Sequence, residues 1–183
     1  MKPNFFVAVP IDGSRWYDQR FQPPFEHIWA VHPKDLHLTV AFMGSVTEQE
    51  AKRGFALCKS EPLEAFSMTL STVLPLGKPG PFSALTLGLE EGKEEATHLL
   101  NTWRKPMMEA AGLAPETRTP LPHVTITRSR RQAGKSGKQA ALKWLKSLMV
   151  KPIPVHAREL ALYTWAEDRT EARYIIIDRV PLS

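Results

Sequence analysis

Two copies of one four-residue pattern constrain the fold of this chain more than any other feature. HLTV at 37–40 and HVTI at 123–126 both read histidine, aliphatic, threonine, aliphatic. Each copy lies in a segment typical of a β-strand and is followed by a segment typical of a helix. Side chains alternate along a strand, so each histidine shares a face with its threonine, and the aliphatic residues face the core. The chain is therefore predicted to present two His-Thr pairs on sheet faces.

The segments around the two patterns form two similar series of elements. The first comprises strands at 4–10, 36–43 and 66–74, a short helix within 14–25, and a helix from the Thr47 capping box to 59. The second comprises strands at 82–89, 122–127, 154–165 and 173–180, and helices at 137–149 and 91–111, the latter with an irregularity at Pro106. We therefore predict one domain over 1–183, built from two repeats at about 4–74 and 82–180 and joined by the Pro- and Gly-rich segment 75–81.

The net charge favours a polyanionic partner. The chain has 24 Lys and Arg residues against 19 Asp and Glu residues, which makes a formal charge of +5. This charge is compatible with RNA but does not identify it, because many soluble proteins are mildly basic. The densest basic run, 128–138, follows the second pattern and is a candidate for steering a phosphate backbone, with a solvated loop as the alternative.

Cysteine usage and spacing argue against several kinds of site. The single cysteine, Cys58, cannot form an internal disulfide, and its apolar surroundings indicate packing rather than thiol catalysis. No cluster of Cys and His residues has zinc spacing, so we expect no metal and no cofactor. The apolar run near the N-terminus is too short for a signal-peptide core or a membrane span. We predict a cytoplasmic protein that makes no contact with a membrane and acts as a monomer.

The two His-Thr pairs suit phosphodiester chemistry if their strands lie side by side. Histidine titrates near pH 6.5, so one neutral imidazole can take a proton from water while a second, protonated imidazole gives one to the leaving oxygen. Hydroxyl groups of Thr39 and Thr125 can donate hydrogen bonds to the phosphate oxygens. A histidine or threonine in a strand is usually structural, but repetition at equivalent positions favours a joint function for His37 and His123.

Three further residues are candidates for the same site. Arg128 follows His123 by five residues and could hold the phosphate with a bidentate contact. The alternative is a solvated charge at a strand end, because alternation places Arg128 opposite His123 unless the strand bends. Trp29 and Phe42 are aromatic residues near the motif strands and are candidates for stacking on a base, with a core position as the alternative for Phe42.

At these residues the sequence resembles the two-histidine (2H) phosphoesterase superfamily, and within it the RNA 2′,3′-cyclic phosphodiesterases, also called 2′-5′ RNA ligases. The resemblance covers most of the chain. It is carried by the strand leading to Pro10, Trp29, the segments DLHLTVAFMG at 35–44 and PHVTITR at 122–128, ELALY at 159–163, Tyr174 and the final Pro181-Leu182.

The resemblance implies an α+β fold of two pseudo-symmetric lobes, each a mainly antiparallel sheet with outer helices, around a V-shaped cleft. It also implies metal-independent hydrolysis of an RNA 2′,3′-cyclic phosphate to a 2′-phosphate. On the family pattern His37 protonates the departing O3′ and His123 activates the water, while Thr39, Thr125 and Arg128 hold the phosphate. The residues themselves do not distinguish the acid from the base.

Two alternatives stay open from the sequence. The same site could act on another substrate, either a 2′-5′ linked oligonucleotide or the cyclic phosphate of an ADP-ribose derivative. The chain could also be a nucleotide- or RNA-binding module without turnover, although the intact histidines and threonines argue against this. Departures from the family pattern at Pro23-Pro24, Ile28 and Trp165 flank the cleft entrance, and they bear on substrate preference more than on chemistry.

Overall fold

Nine strands and three α-helices make up the part of the chain that the computed structural model describes, residues 3–77 and 82–183. The strands are β1 (Phe5–Pro10), β2 (Ile28–Ala30), β3 (His37–Gly44), β4 (Phe66–Leu76), β5 (Ala84–Glu91), β6 (His123–Ser129), β7 (Ile153–Ala157), β8 (Glu159–Trp165) and β9 (Tyr174–Pro181). The helices are α1 (Glu48–Ala56), α2 (Lys93–Ala110) and α3 (Gly134–Ser147). The predicted α+β class is confirmed.

Local sequence signals explain where the helices begin. At the start of α1 the Glu50 N–H donates to the Thr47 hydroxyl and the Glu50 carboxylate accepts the Thr47 N–H, which is the predicted capping box. Helix α2 begins two residues later than predicted because Gly92 has a positive φ of 69°, and a Cβ there would lie 2.3 Å from a backbone oxygen. Among the described residues, no helix has the length and apolar character that crossing a membrane requires.

The strands form one antiparallel sheet in the order β7-β4-β5-β6-β3-β1-β8-β9. The short strand β2 pairs with the last three residues of β6, Thr127 to Ser129. Strands β3 and β6, which carry the two His-x-Thr patterns, join its two halves by pairing at Leu38 and Val124. Each half contains strands from both predicted repeats, since β4 lies between β7 and β5 while β8 and β9 extend the sheet beyond β1. The repeat boundaries stay a prediction, and residues 78–81 of the predicted joining segment lie outside the described residues.

Three features of the fold differ from what the sequence predicted or left open. The strand predicted at 154–165 is two strands, because the chain breaks at Arg158 and then pairs with a different neighbour: β7 pairs with β4, whereas β8 pairs with β1 and β9. Strand β2 was not predicted, since its three residues depend on pairing with β6 rather than on local pattern. The basic run at 128–138 is not a loop, because it spans the end of β6, a short 3₁₀ turn and the first turns of α3.

The two faces of the sheet are buried differently. The main core joins the sheet to the helices and includes fully buried residues such as Val7, Leu38, Phe55 and Ile126. A second, smaller cluster lies on the other face of β1 and β8, formed by Phe6, Ala8, Ala161 and Tyr163 with the edges of Tyr174 and Ile176. The His37 ring packs against this smaller cluster.

Candidate active site

The same irregularity interrupts the two motif strands. In β3, Thr39 lies opposite Ala8 but Ala41 lies opposite Val7, which leaves Val40 as an extra residue. In β6, Thr125 lies opposite Thr86 but Thr127 lies opposite Leu85, which leaves Ile126 as the extra residue. A β-bulge of this kind resets the alternation of side chains. Each bulge falls on the fourth residue of the His-x-Thr-aliphatic pattern.

Because of the two bulges, the fifth residue after each histidine lies on the same face of the sheet as that histidine. In β6 this residue is Arg128, so the bend that the sequence argument required is present. In β3 the equivalent residue is Phe42, whose side chain is 57% exposed and lines a cavity with Thr39 and His123. The alternative of a core position for Phe42 is therefore wrong.

Hydrogen-bond donors from outside the motif strands hold the bulges. The Val40 carbonyl accepts a hydrogen bond from Arg104 Nε at 3.3 Å. The Ile126 carbonyl accepts one from the Tyr17 hydroxyl at 3.0 Å and another from the backbone N–H of Val31 at 2.8 Å. Arg104 and Tyr17 lie far from either pattern in sequence, and no local signal marks them.

Thr127, directly after the second bulge, has a buried hydroxyl without a hydrogen-bond partner among the described residues. Replacing it by valine, which has the same shape, is expected to raise the free energy of unfolding by about 1 kcal/mol, because an unpaired buried hydroxyl is costly. Urea denaturation measures the change. Thr86→Val is the matched control, since the equally buried Thr86 hydroxyl donates to the Leu74 carbonyl at 2.9 Å and its loss should destabilise the fold. Equal effects of the two substitutions would contradict the argument.

The two imidazoles are oriented in the same way. His37 Nδ1 lies 2.6 Å from the backbone carbonyl oxygen of Asp35, and His123 Nδ1 lies 2.6 Å from that of Leu121, each two residues earlier in the chain. A carbonyl oxygen can only accept, so each Nδ1 must carry the hydrogen. This contact fixes the tautomer, and it leaves Nε2 of each ring to exchange a proton in the cleft.

Burial holds both histidines neutral near pH 7. Burial, with smaller contributions from the charges of Arg128 and His123, lowers the pKa of His37 from 6.5 to about 4, against the opposing effect of the hydrogen bond to Asp35. The His37 ring packs on Phe6 and Tyr163, with ring centroids 4.7 and 5.6 Å apart. Burial also lowers the pKa of His123, and Arg128 adds to that effect. One cation therefore acts on the two imidazoles.

The lowered pKa of His37 makes stability depend on pH. Between pH 6.5 and 4 the unfolded chain binds a proton on His37 that the folded protein does not bind, so the free energy of unfolding falls as the pH drops. The loss is at most about 3 kcal/mol for this group. Urea denaturation of the wild type and His37→Gln at pH 7 and pH 4.5 isolates it, because the carboxyl groups are common to the two proteins. An identical pH dependence in the two would contradict the lowered pKa.

Two cavities meet between the motif strands. The Trp29 cavity, of about 300 Å³, is lined by Trp29, His32, Asp35, His37 and Tyr174, among others. The Phe42 cavity, of about 530 Å³, is lined by Thr39, Phe42, Arg104 and His123, among others. Thr125 and Arg128 line both cavities. The structure thus brings all seven candidate residues to one cleft, with Thr125 and Arg128 at its centre.

Asp35 is a further residue of the cleft that the sequence argument missed. Its buried carboxylate accepts the backbone N–H groups of Arg173 and Tyr174 at 2.8 and 3.1 Å, while its carbonyl holds His37. Burial raises the pKa of this carboxyl, against those two hydrogen bonds. Asp35 therefore links the first histidine to the segment that precedes β9. In the described residues, no three His, Cys, Asp or Glu side chains are grouped so that they could share a metal ion.

Two curated proteins resemble the chain in sequence. The RNA 2′,3′-cyclic phosphodiesterase of Bacillus subtilis is 28% identical over 70% of this chain and 72% of its own length. The RNA 2′,3′-cyclic phosphodiesterase of Geobacillus stearothermophilus is 31% identical over 99% of this chain, which spans 58% of the length of that relative. No family model matches the chain.

Solved structures share the fold along the whole chain. LigT of E. coli, complexed with 3′-AMP, has a TM-score of 0.71 at 22% identity, and the alignment covers 100% of this chain and 99% of LigT. TT0787 of Thermus thermophilus has a TM-score of 0.68 at 21% identity, with 98% and 97% covered. At this level of identity the likeness concerns the fold.

Proposed function

We propose that the chain is a member of the two-histidine (2H) phosphoesterase superfamily and that it hydrolyses the 2′,3′-cyclic phosphate at RNA ends to a 2′-phosphate. The observation that carries this proposal is the convergence of two His-Thr pairs, oriented alike, at the meeting point of two cavities. The names of the two curated relatives support RNA as the substrate class. The net charge of +5 is compatible with it.

In the proposed reaction His123 acts as the general base. Its lowered pKa keeps Nε2 unprotonated at neutral pH, so Nε2 can accept a proton from a water molecule in the Phe42 cavity. The oxygen of that water attacks the phosphorus atom while its proton passes to Nε2. The hydrogen bond from Nδ1 to the Leu121 carbonyl stabilises the imidazolium that forms.

His37 acts as the general acid and protonates O3′ as the bond between phosphorus and O3′ breaks. The products are a 2′-phosphate and a free 3′-hydroxyl group. The pKa of His37 is about 4 in the free protein, so the ring is neutral near pH 7. When the anionic substrate binds, its negative charge raises this pKa, and His37 can then take up the proton that it gives to O3′. The assignment of acid and base follows the family resemblance. The equivalent Nδ1 contacts leave the two roles chemically interchangeable.

The phosphate itself is held by hydroxyl and guanidinium groups. Thr125 and Arg128 line both cavities and Thr39 lines one, so these three groups surround the centre of the cleft. Their donors stabilise the charge that builds up on the non-bridging oxygens in the transition state. Trp29 and Phe42, on opposite sides of this centre, are proposed to contact the bases.

The test is turnover of a short RNA with a 2′,3′-cyclic phosphate end in the presence of EDTA. We expect hydrolysis at the rate seen without EDTA and a product with a 2′-phosphate, identified by its resistance to enzymes that remove only 3′-phosphates. No turnover would overturn the proposed function. A 3′-phosphate product would overturn the proposed direction of opening, and inhibition by EDTA would overturn the metal-independent mechanism.

A 2′-5′ linked oligonucleotide is the second candidate substrate. The Phe42 cavity provides space on the far side of Thr125 and Arg128 for a leaving nucleoside, which a cyclic phosphate end does not need. Side-by-side kcat/KM values for a 2′-5′ linked dinucleotide and a cyclic phosphate end will rank the two. We expect the cyclic phosphate end to have the higher value.

A further inference from the structure

A groove continues from the Trp29 cavity away from the two motif strands. Arg169, Arg173 and Tyr174 line both the Trp29 cavity and a neighbouring cavity of about 370 Å³, which Asn4 and Trp165 complete. The two arginines belong to the segment between β8 and β9. A molecule that binds beside His37 can therefore extend past both guanidinium groups towards Trp165.

Aromatic rings hold these guanidinium groups. The Arg173 guanidinium lies 5.0 Å from the centre of the Trp29 ring, and the Arg169 guanidinium lies 4.7 Å from the centre of the Trp165 ring. The guanidinium of Arg130 also lies near Trp29, at 5.7 Å. Guanidinium groups in contact with a ring keep their N–H edges free, and that edge matches the oxygens of a phosphate.

In the part of the chain that the structure describes, the arginines of this groove form no direct ion pair with a carboxylate. Among the ion pairs of the described residues, none includes Arg128, Arg169 or Arg173. Two carboxylates line the Trp29 cavity. Glu171 pairs with Lys34 at 3.2 Å, and Asp35 accepts backbone N–H groups while its charge acts on Arg173 only at longer range. Arginines gathered in a concave surface, with no carboxylate in a direct ion pair, attract anions.

The segment is held in place relative to the proposed acid. Asp35 accepts the N–H of Arg173 and of Tyr174 with its carboxylate and holds His37 with its carbonyl. The Tyr174 ring lies 5.9 Å from the His37 ring. Arg169 and Arg173 do not line the Phe42 cavity, whereas Thr125 and Arg128 line both. The two outer arginines are therefore placed for a second anion, beside the one that reacts.

We propose that Arg169 and Arg173, supported by Trp29 and Trp165, form a second phosphate site. It binds the phosphate on the 5′ side of the nucleoside whose cyclic phosphate is hydrolysed. The inference rests on the proposed function, and it means that the enzyme selects an end of a nucleotide chain over a free nucleoside 2′,3′-cyclic phosphate. Either a terminal 5′-phosphate or the phosphodiester of a longer strand offers the required oxygens.

Three substrates that differ in that phosphate test the proposal: adenosine 2′,3′-cyclic phosphate, its 5′-phosphorylated form, and the dinucleotide ApA with a 2′,3′-cyclic end. We expect the 5′-phosphorylated form and the dinucleotide to have kcat/KM values about tenfold higher than the nucleoside, since charge-assisted hydrogen bonds are strong. In Arg169→Gln and Arg173→Gln we expect the kcat/KM of the two substrates with a 5′-side phosphate, divided by that of adenosine 2′,3′-cyclic phosphate, to fall towards one. Arg53→Gln removes the same charge from an exposed position of α1, away from the cleft, and should preserve the ratio.

The outcomes distinguish a failure of the second phosphate site from a failure of the proposed function. No turnover of any of the three substrates contradicts the proposed function, whereas turnover of all three at equal kcat/KM contradicts the second phosphate site alone. A gain for the dinucleotide but not for the 5′-phosphorylated nucleoside would overturn the proposal, because the upstream nucleoside would then be the group recognised. An unchanged ratio in the two arginine variants would overturn it as well. Because the readout is a ratio measured on one protein sample, partial unfolding of a variant does not affect it.

Discussion

Replacing either His37 or His123 by alanine is expected to lower kcat/KM for a 2′,3′-cyclic phosphate RNA end by about 10²- to 10⁴-fold. In the proposed mechanism each imidazole performs one of the two proton transfers, and each Nδ1 contact leaves a single nitrogen per ring for that transfer. Removing either ring therefore removes a step that the other does not perform. The double substitution is expected to lose little more than either single one, since the two residues act in one cycle. Initial rates over a range of substrate concentrations measure the effect.

The controls separate chemistry from folding. His37 packs against Phe6, so His37→Gln, which keeps more of the side-chain volume, should be equally inactive while remaining folded by circular dichroism. His98→Ala removes an exposed imidazole on α2, outside both cavities, and should retain wild-type kcat/KM. Activity near the wild-type level in either His37→Ala or His123→Ala would exclude the paired acid–base mechanism.

Arg128→Gln is expected to produce the second-largest effect, a loss of about 10²-fold in kcat/KM. The β6 bulge brings this guanidinium to the face of His123 and Thr125, where it can hold the phosphate of the transition state. The substitution has a second consequence. Because the charge of Arg128 lowers the pKa of both His37 and His123, its removal should raise both values.

The pH dependence of kcat/KM distinguishes these two consequences. A reaction that needs one protonated and one neutral histidine has a rate maximum between the two pKa values, so higher pKa values move the maximum to higher pH. We expect the profile of Arg128→Gln to shift towards higher pH relative to the wild type. Arg131→Gln, which removes an exposed charge three residues away, should shift neither the profile nor the rate. A loss of rate without any shift would mean that Arg128 lies too far from the imidazoles to influence them.

Local pattern was sufficient for most elements of the fold. The capping box at Thr47 predicted the start of α1, and apolar or alternating segments predicted β1, β3, β4, β5, β6 and β9 within a few residues. Elements that depend on a distant partner were missed. Strand β2 exists because three residues pair with β6, and the break at Arg158 exists because the two sides of it join different halves of the sheet.

The residues of the candidate site likewise comprise some that local pattern predicted and some that it missed. The repeated pattern singled out His37, Thr39, His123 and Thr125, because residue type and strand alternation are both encoded within four positions. The pattern did not mark Asp35, Arg104 and Tyr17, because each contributes through a contact with backbone that lies elsewhere in the chain. Arg169 and Arg173 lie in a segment with no motif, and its position depends on the carboxylate of Asp35.

The sequence by itself determined that this protein has two His-Thr pairs, each on one face of a strand, because alternation within a strand is a local property of the backbone. Tertiary structure alone decided that Arg128 and Phe42 join those pairs. A β-bulge changes which face a residue takes, and in this protein a neighbouring strand and a donor from elsewhere in the chain accommodate the extra residue of each bulge. The two histidines met in one cleft for the same reason: their strands pair at Leu38 and Val124, a contact between residues that are far apart in the chain.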